Sequence, residues 1–343
     1  MTEYPIPKQA TRVREVTGTT PYTFNKDIRG ASEPIIMRGL VGDWPMVRKA
    51  LQSDDALCEY LAGFDRGMPL TAMQGPASND GRIFYNQDLT GLNCRPSQTQ
   101  LPTALEFIRK HAGDAQSPTF AIQSIVVPHH LPGLERELPM PLLAEQVEPR
   151  IWIGGKATVA AHYDASENIA CCVAGKRRFT LFPPEQVTNL YPGPFEMTPA
   201  GAVISMVDFD NPDLQAHPRF EQALAHAQVA DLEPGDGLYI PYLWWHHVRA
   251  LQGLNVLVNY WWGEPNPSYG DPRNALFFAM MALNTLPAGQ REAWRHHFNH
   301  YVFDNAGDLG SHLPDGRRGI METFSTDALK RLKQRLIQVL SRK

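Results

Sequence analysis

The sequence predicts a mainly β protein, an antiparallel sandwich or barrel with helices between and after its strands and a helical C-terminal third. Three observations carry this. Short β-rich runs bounded by turn residues recur through the first 265 residues. The 29 prolines and 26 glycines are spread along the chain instead of gathering in a linker. Near the end the apolar pattern changes to helical spacing. No internal repeat or low-complexity tract is present, which favours one main domain over residues 1–265 and a helical region over 266–343.

In chain order, the strand candidates are Pro34 to Arg38, Phe120 to Val127, Arg150 to Ile153, Ile169 to Val173, Arg178 to Phe182, Gly237 to Ile240 and Asn255 to Trp262. Their even spacing between turns suits a closed or two-layered antiparallel fold. Helices are predicted over Met46 to Leu61, Pro102 to His111, Arg219 to Ala227, Asn274 to Leu286 and Ser325 to Leu340. In the last, Ser325 is the candidate N-cap, and Leu329, Leu332, Leu336 and Leu340 recur at helical spacing. This stripe and the apolar run from Ala275 to Leu283 exceed the needs of a local core, so the region either caps the core or pairs with its twin in a homodimer.

At 343 residues and 43% hydrophobic composition, the chain needs no metal or disulfide merely to fold, so a metal site in it is functional. The net charge of −4 comes without a Lys/Arg block, and charge gives no argument for nucleic acid. No run of 18 apolar residues and no signal-peptide or lipidation pattern is found, which predicts a cytoplasmic protein without a membrane partner. Cys58, Cys94, Cys171 and Cys172 form no CxxC pair. They are read as reduced, buried thiols, the adjacent two on opposite faces of a strand.

The chemistry starts at His162-Tyr163-Asp164. On an extended strand, residues two apart share a face, so this imidazole and carboxylate can hold one cation while Tyr163 faces away. A third ligand must come from a distant strand, and Trp244-Trp245-His246-His247 follows a turn, an apolar strand and a second turn. Two histidines and one carboxylate on one side of a metal leave the opposite positions open, which is the arrangement of non-haem iron oxygenases. Zinc accepts the same ligands, but no thiolate selects it, and iron is preferred. Alternation allows only one of His246 and His247 to face inward, and periodicity does not choose between them. The other is expected to be a partly exposed histidine hydrogen-bonded to backbone. His129-His130 and His296-His297 have no carboxylate at ligand spacing and are read as surface histidines.

A 2-oxoglutarate-using enzyme also needs a cation for the distal carboxylate of the cosubstrate. Lys176, Arg177 and Arg178 follow Gly175, and alternation puts Arg177 on the face of Phe179 and Leu181. Asn168 and Asn259 are further candidates for polar contacts inside the barrel.

The runs His162 to Asn168, Ala174 to Pro184, Val207-Asp-Phe-Asp-Asn-Pro-Asp213 and Glu233 to His246, with Pro34 to Leu40 and Asp43-Trp-Pro45, together resemble the JmjC-type cupin-like hydroxylases, the asparaginyl hydroxylases among them. The resemblance covers residues 30 to 265. It implies a double-stranded β-helix (jelly-roll, cupin) core with flanking helices, Fe(II), 2-oxoglutarate and O2, and a helical C-terminal region that can dimerise. It selects His246 over His247 as the ligand, places Asn168 and Asn259 near the cosubstrate, and likens Phe84-Tyr85 to a substrate-side aromatic segment. Two departures stand out. Arg177 occupies the position where the family usually has lysine, keeping the charge on a larger planar fork. Val159 stands where a threonine is common, with Thr158 one step earlier; parity puts Thr158 on the face of His162 as a displaced hydroxyl.

The function expected is hydroxylation of a protein side chain or a small molecule, with release of succinate and CO2. The alternative is a non-catalytic cupin-like binding protein using the same pocket. A metal-dependent isomerase or hydrolase is disfavoured, since no further ligand or general base is supplied. Fold does not choose the substrate.

Overall fold

The structure, a computed structural model, describes all residues except 1–9, 115, 200, 264–267, 305–308, 315, 322–325 and 342–343. Eight strands form its central barrel: β1 Pro149–Gly154, β2 Thr158–His162, β3 Glu167–Ala174, β4 Arg177–Phe182, β5 Gln228–Leu232, β6 Gly237–Ile240, β7 Trp245–Ala250 and β8 Asn255–Trp262. One nine-stranded sheet contains the order β6-β3-β8-β1, and a six-stranded sheet contains β5-β4-β7-β2. All pairings among these eight strands are antiparallel. This is the jelly-roll arrangement of a mainly β, cupin-type core, as the strand pattern predicts.

Why these segments form strands follows from burial. β3 pairs on both sides and is buried at every residue but its first, so it reads as a continuous apolar run without alternation. Its two cysteines part: Cys171 joins the core beneath the flanking helices, whereas Cys172 joins the barrel interior with Phe179, Leu238 and Leu257. All four cysteines are free, and burial pushes the thiols of Cys171 and Cys172 up. The N-terminal segment straddles both sheets. Thr11–Arg12 runs parallel to β5, Arg14–Thr17 runs parallel to Ile35–Arg38, and Val13 between them enters the barrel core.

Helix prediction holds in place but not always in extent. The stretch from Met46 to Leu61 is two helices, Pro45–Gln52 and Asp54–Ala62. Ser53 between them is extended, and its hydroxyl accepts from the Ala56 amide at 3.1 Å, an N-cap that restarts the helix. The Arg219 to Ala227 segment is helical only over Phe220–Leu224. The tail helix runs Thr326–Leu340, and the Ser325 cap lies outside the described residues. The chain divides into two compact units, Met1–Glu264 and Pro265–Lys343.

One turn is critical for the site. Gly175, at φ +74°, joins β3 to β4, and a Cβ there would lie 2.3 Å from Asn255 Oδ1 and 2.7 Å from Leu254 O. Gly175→Ala therefore adds a clash to a left-handed strain, and a loss of about 1–3 kcal/mol is expected. Denaturant unfolding of the variant checks it, and an unchanged midpoint would remove this role for the turn.

Candidate metal centre

The two ligand strands lie side by side. His162 at the end of β2 is directly opposite His246 near the start of β7, with ring centroids 4.2 Å apart. β2 ends at His162, and Asp164 sits just beyond it in a turn whose backbone carbonyl accepts from the Leu243 amide at 3.1 Å. Leu243 is itself left-handed (φ 61°), so the turn leading into His246 is tied to the one carrying Asp164. Tyr163 points to the other side and packs edge-to-face on Trp245 at 4.8 Å.

Each ligand histidine is oriented by its own backbone. Nδ1 of His162 donates to Ala160 O at 2.9 Å, and Nδ1 of His246 donates to Trp244 O at 3.0 Å. A carbonyl only accepts, so each Nδ1 carries the proton and each Nε2 presents its lone pair. His246 Nε2 is 3.6 Å from Asp164 Oδ2, and the ligand atoms of all three residues lie within 4.8 Å of one another. Burial, with the neighbouring His162 ring, pushes the His246 pKa down to about 4, so its imidazole is neutral at pH 7. Asp164 Oδ2 is buried without a hydrogen-bond partner. Two free imidazole nitrogens converging on an unpartnered carboxylate oxygen fit a divalent metal, and the donor set suits iron.

His247 takes the opposite side of β7. It is buried, not half-exposed, and stacks on Phe209 with centroids 4.7 Å apart and planes 12° from parallel. Ion pairs of Arg249 with Asp210 and of Arg82 with Asp208 flank this outer layer. His129, His296 and His297 are exposed.

A cavity of about 190 Å³ opens onto the three ligands. Arg177, Asn168 and Asn259 line it, over an apolar wall of Val159, Phe179, Val248 and Leu257. Asn259 Nδ2 donates to Asn168 Oδ1 at 2.8 Å, which leaves Asn259 Oδ1 buried and unpartnered. Arg177 pairs opposite Ala250, four ladder positions from His246, or ~13 Å along the strand. Its Nε is buried without a partner, and burial pushes its pKa down to about 10, which still leaves a cation at neutral pH. An unpaired guanidinium at one end of a cavity and a metal-ligand set at the other fit a short dianion with a chelating end.

Thr158 lies outside the cavity lining. Between β2 and β7, His162 faces His246 but Val159 faces Val248, so three residues of β2 span two of β7. This bulge reverses the parity, puts Val159 in the cavity wall and leaves Thr158 out of it. Phe84 and Tyr85 also stand apart from the lining. Tyr85 is buried against Ala160 and Ile204 with its hydroxyl donating to Met197 O at 2.7 Å, and Phe84 lies under the Arg82 guanidinium at 3.8 Å. Sequence reasoning missed Trp152 and Trp261, whose indole nitrogens are buried in the lining without partners. Trp261 was findable, being two residues from Asn259 on the same strand face. Gln123 and Ser124 were not, because they enter the cavity at a second bulge where Ser124 is left-handed (φ 54°).

The Cupin-like domain family matches this chain over residues 21–268. Jumonji C domain-containing protein 5 of Drosophila melanogaster is 27% identical over 237 residues, 68% of this chain and 55% of that protein. Lysine-specific demethylase 8 of Xenopus tropicalis is 27% identical over 238 residues, 67% of this chain and 48% of the relative. tRNA wybutosine-synthesizing protein 5 of Danio rerio is 41% identical over 109 residues, 32% of this chain and 30% of the relative. The matches thus span about half, or less, of the length of these relatives.

Proposed function

Since the chain belongs to the cupin-like domain family, whose JmjC oxygenases use Fe(II), 2-oxoglutarate and O2, we propose that it hydroxylates a protein side chain or a small molecule in the cytosol. The observation that carries this reading is the pairing of the His162, Asp164 and His246 ligand set with the unpartnered Arg177 guanidinium across one cavity. Iron and 2-oxoglutarate, when bound, supply the activation of O2 that splits the cosubstrate into succinate and CO2 and delivers one oxygen atom to a C–H bond.

The chain's own residues bind and orient. His162, Asp164 and His246 would hold the metal, and Arg177 would pair with the distal carboxylate of the cosubstrate; Asn168 and Asn259 form an amide pair in the same cavity. The apolar wall keeps bulk water from the reacting centre. A non-catalytic binding role calls for a pocket filled by side chains or an outward Arg177, and the open cavity with Arg177 in its lining counts against it. Anaerobic titration of the Fe(II) protein with 2-oxoglutarate tests the proposal: chelation is expected to produce a visible charge-transfer absorption, and succinate is expected on adding O2. Absence of both would overturn it.

The helices after residue 265 are proposed to hold two copies together. No residue of Pro272–Leu283 or Ala288–Phe298 is buried, and Met281 and Ile337 are 61% and 63% exposed. A helix this apolar is stable in water only when covered. Two-fold pairing of the same surface covers both copies at once. Sedimentation at micromolar concentration is expected to show a dimer, lost on deleting residues 325–343; a monomeric intact chain would remove the proposal. No described helix is long and apolar enough to cross a membrane.

A further inference from the structure

We propose that the metal end of the cavity binds a carboxylate of the substrate through Arg150, so that the molecule oxidised is an acid, free or as an acidic side chain, and not a lysine or arginine. This rests on the oxygenase reading above. Arg150 lies on β1 two residues before Trp152 and directly opposite Asn259 of β8, on the strand face that lines the cavity. Its Nη1 donates to Ser124 Oγ at 3.2 Å and Ser124 O at 3.4 Å, and its guanidinium lies 5.5 Å from the Trp261 ring centre. Ser124 and Trp261 are both in the cavity lining, so the guanidinium is fixed at its edge.

Among the described residues no carboxylate pairs with Arg150, although most arginines in the first unit have an acidic partner. Two of the buried groups left unsatisfied beside it are donors, the indole N–H of Trp152 and of Trp261, against one acceptor, Asn259 Oδ1. Among the described residues the only carboxylate in the lining is Asp164, which belongs to the metal set. Glu167, one residue from Asn168, is held by Arg29 and by the Tyr239 hydroxyl. An ammonium or guanidinium entering here meets the Arg150 guanidinium, with Asn259 Oδ1 as the unpartnered amide oxygen of the lining. A substrate carboxylate meets a planar fork and two N–H donors. The planar fork matches the two oxygens of a carboxylate bidentately.

The test uses the full chain with Fe(II) and 2-oxoglutarate, assayed with two probe sets. One holds capped peptides identical except for a central Asp, Glu, Lys or Arg; the other holds free mono- and dicarboxylic acids. Substrate-dependent succinate and oxygenated product are expected with acids from one set, which also tells a side chain from a free acid. Arg150→Gln is expected to raise the KM of that acid by about 10- to 100-fold, with Arg150→Lys recovering part of the loss. Turnover of the Lys or Arg peptides, no response to any acid, or an unchanged KM in Arg150→Gln would each overturn the proposal. Anaerobic 2-oxoglutarate titration of the same proteins separates the two readings. If the parent does not bind the cosubstrate, the oxygenase assignment falls; if parent and Arg150→Gln bind it alike, the substrate assay bears on Arg150 alone.

Discussion

His162→Ala, Asp164→Ala and His246→Ala are each expected to abolish tight Fe(II) binding, while His247→Ala is expected to retain it. The three ligand atoms converge within 4.8 Å of one another, and neither the lone pairs of the histidines nor Asp164 Oδ2 is committed to a protein hydrogen bond. Losing a supporting hydrogen bond behind a metal ligand already costs about 10–100-fold in affinity, so losing a ligand costs more. His247 is adjacent in sequence and lies on the far face of β7, stacked on Phe209. Its truncation removes packing and lowers thermal stability without touching the metal. Anaerobic metal titration separates the two outcomes, and a His247→Ala protein that loses iron while His246→Ala keeps it would reverse the assignment.

How much of this was legible in the sequence depends on which forces fix each element. β6 and β8 run over the predicted residues because each is an apolar run between turn residues, and burial on both faces leaves no other use for such a run. The inward orientation of Arg177 was likewise readable, since β4 is a regular strand and its alternation survives folding. What failed were places where regularity breaks. The bulge in β2 exchanges Thr158 for Val159, and the left-handed Ser124 turns Gln123 and Ser124 into the cavity. Both are set by the partner strand's register, which a single chain pattern does not contain. Ser53 is a different case: a serine followed by two aspartates is a local N-cap signal, and it marks the break between the two helices. Arg150 lay within a predicted strand, but only the packing of Ser124 and Trp261 around it reveals a guanidinium without a carboxylate.

Arg177→Ala is expected to weaken 2-oxoglutarate binding by roughly 2–5 kcal/mol, tens to thousands of fold, with Fe(II) binding intact. The guanidinium enters the cavity four ladder positions from His246, its Nε is buried without a partner, and the wall around it is Val159, Phe179, Val248 and Leu257. With Val159 in place of a hydroxyl, that wall offers the distal carboxylate no alternative donor of its own, so the anion loses its counter-charge in an apolar setting. Lys176 and Arg178 cannot substitute. Lys176 is exposed and pairs with Glu233, and Arg178 pairs with Asp231 on the outer side of β4. Arg177→Lys recovers part of the loss, because a point charge on a different stem replaces a fork in a site shaped for the fork. Anaerobic titration of the Fe(II) form reads the affinity, and succinate yield under O2 reads the consequence. Parent-like binding in Arg177→Ala, with a loss in Lys176→Ala or Arg178→Ala instead, would show that β4 presents its other face to the cosubstrate; indifference of all three would remove the cosubstrate from this cavity.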